Sequence, residues 1–259
     1  MAPLDLLRRR SVRILGCDVD AVTMDQALSW CLEACRVPGH APGRARILLT
    51  ANASHLVMLQ DDPAFRAACE AADLVTADGV SLVWASRMLG RPVPERVTGI
   101  DLFARLLACA PQQGLRIFLL GATPAVLERL VARCRRDHPG LVLAGWRDGY
   151  FGPAEHEAVV RQVAESGPDI LFVGMPSPFK DIWCERYRDA LGVRLIIGVG
   201  GAFDVLAGMV ARAPGWMQRA GLEWAWRLML EPRRLWRRYL IGNSRFVWLV
   251  MKSRLRAGS

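Results

Sequence analysis

Asp169–Gly174 reads DILFVG, and Val193–Gly198 reads VRLIIG. Short runs this apolar, closed by glycine, are strands buried on both faces, as in a parallel sheet covered by helices. The same pattern recurs in Ala45–Ala51 (ARILLTA) and Arg116–Gly121 (RIFLLG). Val12–Cys17, Asp73–Ala77 and Leu141–Trp146 complete the strand-like runs. Helical patterns lie between them. Asp62–Pro63 and Thr123–Pro124 are N-caps with proline in the first turn. After Thr123, the residues Val126, Leu127, Leu130, Val131 and Cys134 fall on one helix face, with arginines on the other. Strand–helix alternation predicts an α/β fold: a Rossmann-like, mostly parallel sheet flanked by helices.

That rhythm stops near Asp204–Arg212. We therefore divide the chain into an α/β body, 1–204, and a Trp/Arg-rich helical appendage, 205–259. Charge follows the same division. Residues 212–259 hold ten arginines and Lys252 against Glu223 and Glu231, which accounts for the whole formal +9 and leaves 1–211 neutral. A basic tail on a neutral body points to a polyanionic partner: a membrane surface, a nucleic acid or a phosphorylated ligand. From Pro232 the tail reads PRRLWRRYLIGNSRFVWLVMKSRLR. As one helix it sets Arg234, Arg238, Arg245 and Lys252 in a stripe. Leu235, Tyr239, Phe246 and Val250, with Trp236, Leu240, Val247 and Met251, form an apolar band beside it. Such a helix suits an anionic headgroup interface. The competing reading is a terminal helix docked on the body with solvated arginines. Nucleic-acid binding is disfavoured, because the apolar band would face water and no nucleic-acid-binding motif is present.

With 259 residues, 52% of them hydrophobic and 23% charged, the chain is neither disordered, collagenous nor a coiled coil. Its seven cysteines form no CxxC pair and sit mostly in apolar stretches, which reads as reduced core thiols of a cytosolic protein. No apolar run reaches the ~18 residues of a membrane span, and MAPLDLLRRRSVRILG lacks the apolar core of a signal peptide. Membrane contact is therefore expected to be peripheral.

Ligands of open parallel sheets bind at the carboxyl ends of the strands. The polar residues there are Thr50 and Asn52, Asp78, the Met175–Asp181 loop and Gly198–Asp204. Asp78–Gly79 reads as a turn or helix cap, or as a general base taking a proton from a sugar hydroxyl. Asp18-Val19-Asp20 resembles a metal-holding DxD, but turn and capping roles suffice for it. GVGGAF carries Phe203 where a dinucleotide fingerprint needs its last glycine; close approach of this backbone to a phosphate or base stays open. No P-loop or nucleophile elbow is present, and Lys180 and Lys252 are the only lysines. His40, His55, His138 and His156 are scattered and read as cap or buried residues. No set has zinc-ligand spacing.

In order, TANASHLVMLQDDPAF, ADLVTADGVSLVWASRMLG, ERVTGIDLF, PDILFVGMPSPFKD, GVGGAFDVLAG and RAPGWMQRAGLEWAWRLMLEPRRLWRRYL resemble the WecG/TagA/CpsF family of bacterial glycosyltransferases, over essentially Val12 to Leu240. The resemblance implies inverting transfer from a UDP-sugar to a polyprenyl-diphosphate-linked saccharide in cell-surface polysaccharide synthesis. The implied activity is a hexosyltransferase of N-acetylmannosaminyl, N-acetylmannosaminuronyl or glucosyl type. The implied place is the cytoplasmic face of the bacterial plasma membrane, with no cofactor and no metal. Asp78 matches the family's proposed base, and Thr50, Asn52 and Arg96 match its substrate contacts. Arg227, Arg234 and Arg237 match the arginines its appendage lends to the site. Gly200 and Asp204 of the GVGGAFD turn join the substrate-binding set. Where many members read PKQE, this chain has SPFKD, placing Lys180 at the glutamine and Asp181 at the glutamate. Lysine can pair with a diphosphate but offers no acceptor. The alternative is a catalytically altered sugar-nucleotide-binding protein at the membrane. Homo-oligomerisation stays open.

Overall fold

A computed structural model of the chain describes residues 11–36, 44–236 and 240–257. Six strands form one parallel sheet: β3 Arg46–Ala51, β4 Leu74–Ala77, β5 Arg116–Gly121, β6 Val142–Arg147, β7 Ile170–Gly174 and β8 Leu195–Gly198, in the spatial order β4-β3-β8-β7-β5-β6. Every neighbouring pair is parallel. Strand alternation divides the core into two. Leu48, Leu74, Ile117, Leu119, Ile170, Phe172, Leu195 and Ile197 face one helical layer: α1 Met24–Arg36, α5 Gly99–Gln113, α6 Pro124–Asp137 and α9 Ala202–Leu206. Leu49, Val75, Phe118, Leu120, Leu171, Val173 and Ile196 face the other: α2 Ala53–Met58, α3 Pro63–Glu70, α4 Val80–Met88, α7 His156–Ser166 and α8 Phe179–Tyr187. Each such side chain contributes roughly 1.5–3 kcal/mol by leaving water.

The two expected proline caps are present: Asp62 Oδ1 accepts from the Phe65 N–H at 3.0 Å, and Thr123 Oγ1 from the Val126 N–H at 3.3 Å. All five apolar residues read on the helix after Thr123 are buried.

Val12–Cys17 is not one strand. It splits into β1 Ser11–Ile14 and β2 Cys17–Asp20, an antiparallel hairpin outside the main sheet. The turn is Leu15–Gly16, with φ of 50° and 89°, the two positive values that a tight hairpin turn requires. The hairpin packs on edge strand β4, and Asp20 Oδ2 accepts the Val75 N–H at 2.8 Å. A backbone donor at the sheet edge is thereby satisfied. Asp18 pairs with Arg13 at 3.0 Å.

After α9 come four helical segments: α10 Gly215–Arg219, α11 Glu223–Leu230, α12 Pro232–Trp236 and α13 Gly242–Ala257. The described helical residues beyond Pro232 thus fall in two segments. Arg237, Arg238 and Tyr239 lie outside the described residues, as does His40; of Arg234 only the backbone, in α12, is described. The apolar band divides as well. Leu235, Phe246 and Val250 are buried, with α13 lying on α2, while Trp236, Leu240, Val247 and Met251 are exposed. One edge of the tail docks on the body, and the other faces solvent. Gly221 makes the junction to the body. It has φ of +72°, and a Cβ there would lie 2.9 Å from the Val80 side chain on α4.

Candidate active site

A cleft of about 190 Å³ opens at the carboxyl ends of β3 and β4, where an open parallel sheet places its ligands. Asn52, Asp78, Arg96 and Arg227, four of the residues named from the sequence, line it together with Ser81, Thr98, Glu223 and Trp224.

Each is placed by local structure. Asn52 follows β3 and is the N-cap of α2; its Oδ1 accepts from the Ser54 and His55 N–H groups at 3.0 and 3.4 Å. Asp78 follows β4, and its N–H donates to the Ala51 carbonyl at 2.8 Å, so the ends of β3 and β4 move as one. Asp78 is not itself the N-cap of α4; that position is Gly79. Arg96 is held beside Asp78 because Val97 extends the edge of β4: its N–H donates to the Ala77 carbonyl at 2.9 Å. Arg227 comes from α11. A Cβ on Gly201 would lie 3.9 Å from both Arg227 Nη1 and Asp204 Oδ2, so these two side chains flank the glycine turn after β8. Gly200, in that turn, has φ of +51°.

Two other named residues lie beneath the cleft. Thr50 is buried, donates through Oγ1 to the Gly198 carbonyl at 3.0 Å, and packs against Gly99. Lys180 is 3% exposed. It pairs with buried Asp181, and its Nζ donates to Ser177 Oγ at 2.8 Å. Room for it exists because Gly198 has no side chain; a Cβ there would lie 3.0 Å from Lys180 Cε. His55 Nδ1 accepts the Asn52 N–H at 3.1 Å, and His55 Nε2 lies 2.9 Å from Ser177 Oγ. With Nδ1 accepting, the proton sits on Nε2 and donates to the serine. A polar path thus runs from Asn52, at the cleft, to the buried Lys180–Asp181 pair. Burial pushes the Asp181 carboxyl up, but the Lys180 charge and the hydrogen bonds from Lys180 and Ser177 outweigh it and hold the group below the usual carboxylate range. Histidine as a cap and buried residue was legible for His55; its bond to Ser177 was not.

Sequence reasoning missed Glu223 and Arg212. Glu223 Oε2 accepts from Arg96 Nη1 at 2.7 Å, and its Oε1 lies 3.4 Å from Arg212 Nε. Arg212 Nη1 pairs with Asp101 Oδ1 at 2.6 Å, and Thr98 Oγ1 donates to Asp101 Oδ2 at 2.6 Å. Burial raises the Asp101 pKa, while the Arg212 hydrogen bond, the Thr98 hydroxyl and both guanidinium charges lower it further, below the usual range overall. The only prior signal was an acidic residue, Glu223, inside a basic tail.

Among the described residues, no group of three or more His, Cys, Asp and Glu side chains could hold a metal ion. Asp18 and Asp20 do not line the cleft.

The family model described as "Glycosyl transferase WecG/TagA/CpsF family" matches residues 12–259. A relative from Bacillus spizizenii is 34% identical over 209 residues, 81% of this chain and 80% of the relative. One from Bacillus subtilis is 35% identical over 180 residues, 70% and 69% of the two chains. Both bear the name N-acetylglucosaminyldiphosphoundecaprenol N-acetyl-beta-D-mannosaminyltransferase.

Proposed function

We propose, from the premise that the chain belongs to the WecG/TagA/CpsF family of glycosyltransferases, that it moves an N-acetylmannosaminyl-type sugar from a UDP-linked donor. The acceptor is N-acetylglucosaminyl diphosphate carried on a polyprenol, and the setting is cell-surface polysaccharide synthesis. The observation that carries this reading is the gathering of Asp78, Asn52, Arg96 and Arg227 around one cleft.

Asp78 takes the proton from the acceptor hydroxyl as that oxygen attacks the anomeric carbon, from the face opposite UDP. Configuration inverts. The departing diphosphate gathers negative charge, and arginine guanidinium groups stabilise it: Arg96 and Arg227 in the cleft, with Arg234 and Arg237 from the tail. Asn52 presents its amide to the sugar. Gly200 lets the turn after β8 approach the nucleotide, and Asp204 stands beside Arg227. Thr50 and Lys180 belong to the floor that positions these groups. No metal takes part, because the arginines supply the positive charge. The division into a 1–204 body and a 205–259 appendage follows, with the appendage completing the site.

The chain works peripherally, at the cytoplasmic face of the plasma membrane. No described helix is long and apolar enough to cross a membrane. What supports surface binding is the exposed Trp236, Leu240, Val247, Trp248 and Met251 in a basic tail.

The test is transfer. Purified protein is incubated with UDP-N-acetylmannosamine and a short-chain polyprenyl diphosphate N-acetylglucosamine, and the disaccharide lipid is sought by mass spectrometry. Formation of a β-linked product supports the reading. UDP binding with no acceptor-dependent UDP release would instead favour a sugar-nucleotide-binding protein.

A further inference from the structure

We propose that Glu223 and Arg212 are positioning residues: they form an ionic clasp that holds the C-terminal segment on the body, so that Arg227 stands in the cleft beside Asp78. The proposal rests on the transferase reading.

The clasp alternates in charge and in origin. Arg96, from the body, pairs with Glu223 of the appendage at 2.7 Å. Glu223 shares its other oxygen with Arg212, also of the appendage, at 3.4 Å, and Arg212 returns to Asp101 of the body at 2.6 Å. The chain Arg96–Glu223–Arg212–Asp101 therefore joins α5 and the loop before it to residues more than a hundred positions away. Its members are only partly exposed, between 16% and 36%. A linked set of this kind exceeds the small worth of an isolated surface pair.

Two observations give the clasp its function. First, no residue of α11 is fully buried; Ala225, Trp226 and Leu228 are half-buried, so the helix lies on the surface and is not seated in the core. Polar contacts hold it as well: the clasp at its first residue, and Trp226 Nε1 donating to the Ala211 carbonyl at 2.9 Å. Second, Arg227 lies four residues after Glu223, one helical turn along the same face. Fixing Glu223 on Arg96 therefore fixes where the Arg227 guanidinium points. A carboxylate would otherwise be a liability beside a site for a diphosphate. Paired with two arginines, it becomes a tether.

The test uses the full chain and four single variants, Asp101→Asn, Arg212→Gln, Arg212→Lys and Glu223→Gln, with the double variant Asp101→Asn/Arg212→Gln. Hydrogen exchange of the 223–230 amides is read alongside kcat and donor KM, with a water-soluble acceptor analogue. We expect exchange in 223–230 to quicken about tenfold or more while the strand amides stay as in wild type. Turnover should fall about tenfold, chiefly in kcat, because Arg227 serves the departing charge. The double variant should be no worse than the poorer single one, since both substitutions open the same clasp. Arg212→Lys, which keeps the charge, should fall between wild type and Arg212→Gln. Wild-type exchange in 223–230, or losses that multiply in the double variant, would overturn the clasp. If Asp101→Asn does not fold, the Arg212 and Glu223 variants carry the same comparison. A wild-type protein that transfers no sugar would sink the transferase reading, while the exchange data would still decide the clasp.

Discussion

Thr50 Oγ1 donates to the Gly198 carbonyl at 3.0 Å, joining β3 to β8 directly under the cleft. Thr50→Val keeps the shape and removes the donor, leaving a buried carbonyl with one partner fewer. The expected cost is ~1–3 kcal/mol, read as a lower urea midpoint with an unchanged slope. Turnover should fall with it, because Asn52 rides on the same strand end. An unshifted midpoint together with lost turnover would assign Thr50 a direct contact with substrate.

Asp78→Asn tests the base. Asn is isosteric, and the N-cap of α4 is Gly79 and not Asp78, so the fold and UDP binding should survive. Turnover should fall ~10²–10⁴-fold. Near-normal turnover in a folded Asn variant would take the proton transfer away from Asp78.

Five of the six parallel strands were legible because they are buried on both faces, and residues such as Ile170–Val173 must then all be apolar; edge strand β6, with no buried residue, was legible only as a β-rich run. The hairpin was not, because its turn falls on Leu15–Gly16 within an apolar run, and a leucine with positive φ carries no turn signature. Cleft residues at strand ends, Asn52 and Asp78, could be read from position alone. Arg96 and Arg227 came with the family resemblance, while the appendage was legible from the break in rhythm and charge near Asp204–Arg212. The placement of Lys180 and the partners of Glu223 were hidden for one reason: both are set by contacts between segments far apart in sequence. A lysine in a Pro/Ser loop gives no sign that Gly198 leaves a space for it.

The Lys180–Asp181 pair gives a stability prediction. Lys180→Met strands a buried carboxylate and should cost ~3–5 kcal/mol, whereas Lys180→Met with Asp181→Leu should be close to neutral. The pH dependence has a definite sign. In wild type the Asp181 pKa is depressed, so its contribution is complete above the unfolded carboxylate value of about 3.9 and is lost as pH falls through the lower folded one. Without the lysine, burial dominates and the folded pKa rises, so the variant should close part of its gap to wild type between pH 8 and pH 5. Urea unfolding at the two pH values checks this; a gap that widens on acidification would contradict the buried pair.

Arginine-only charge stabilisation predicts that EDTA leaves turnover essentially unchanged in initial-rate assays. A large loss restored by Mg²⁺ or Mn²⁺ would reinstate a metal and direct attention back to Asp18 and Asp20.

The last prediction separates the two faces of α13. Phe246 and Val250 are buried, and Arg245 pairs with Asp61 at the helix edge. On the other side Trp248 and Leu255 are 57% and 74% exposed, and Lys252 Nζ lies 4.7 Å from the Trp248 ring centroid. The docked edge should govern stability and the exposed edge should govern membrane binding. Phe246→Ala removes a packed ring, typically worth 3–5 kcal/mol, and should loosen α13 from α2. Trp248→Ser with Leu255→Ser touches no core and should leave the thermal midpoint unmoved. On vesicles containing phosphatidylglycerol it should bind at least tenfold more weakly, because it loses the apolar burial that an interfacial helix contributes. Each nearby cation adds ~1 kcal/mol at an anionic surface, so residual binding should fall steeply as salt is raised. Cosedimentation at two ionic strengths reads both effects. Unchanged vesicle binding in the double serine variant would leave the exposed edge of α13 without a role at the lipid surface, and membrane recruitment would have to rest on the arginines alone.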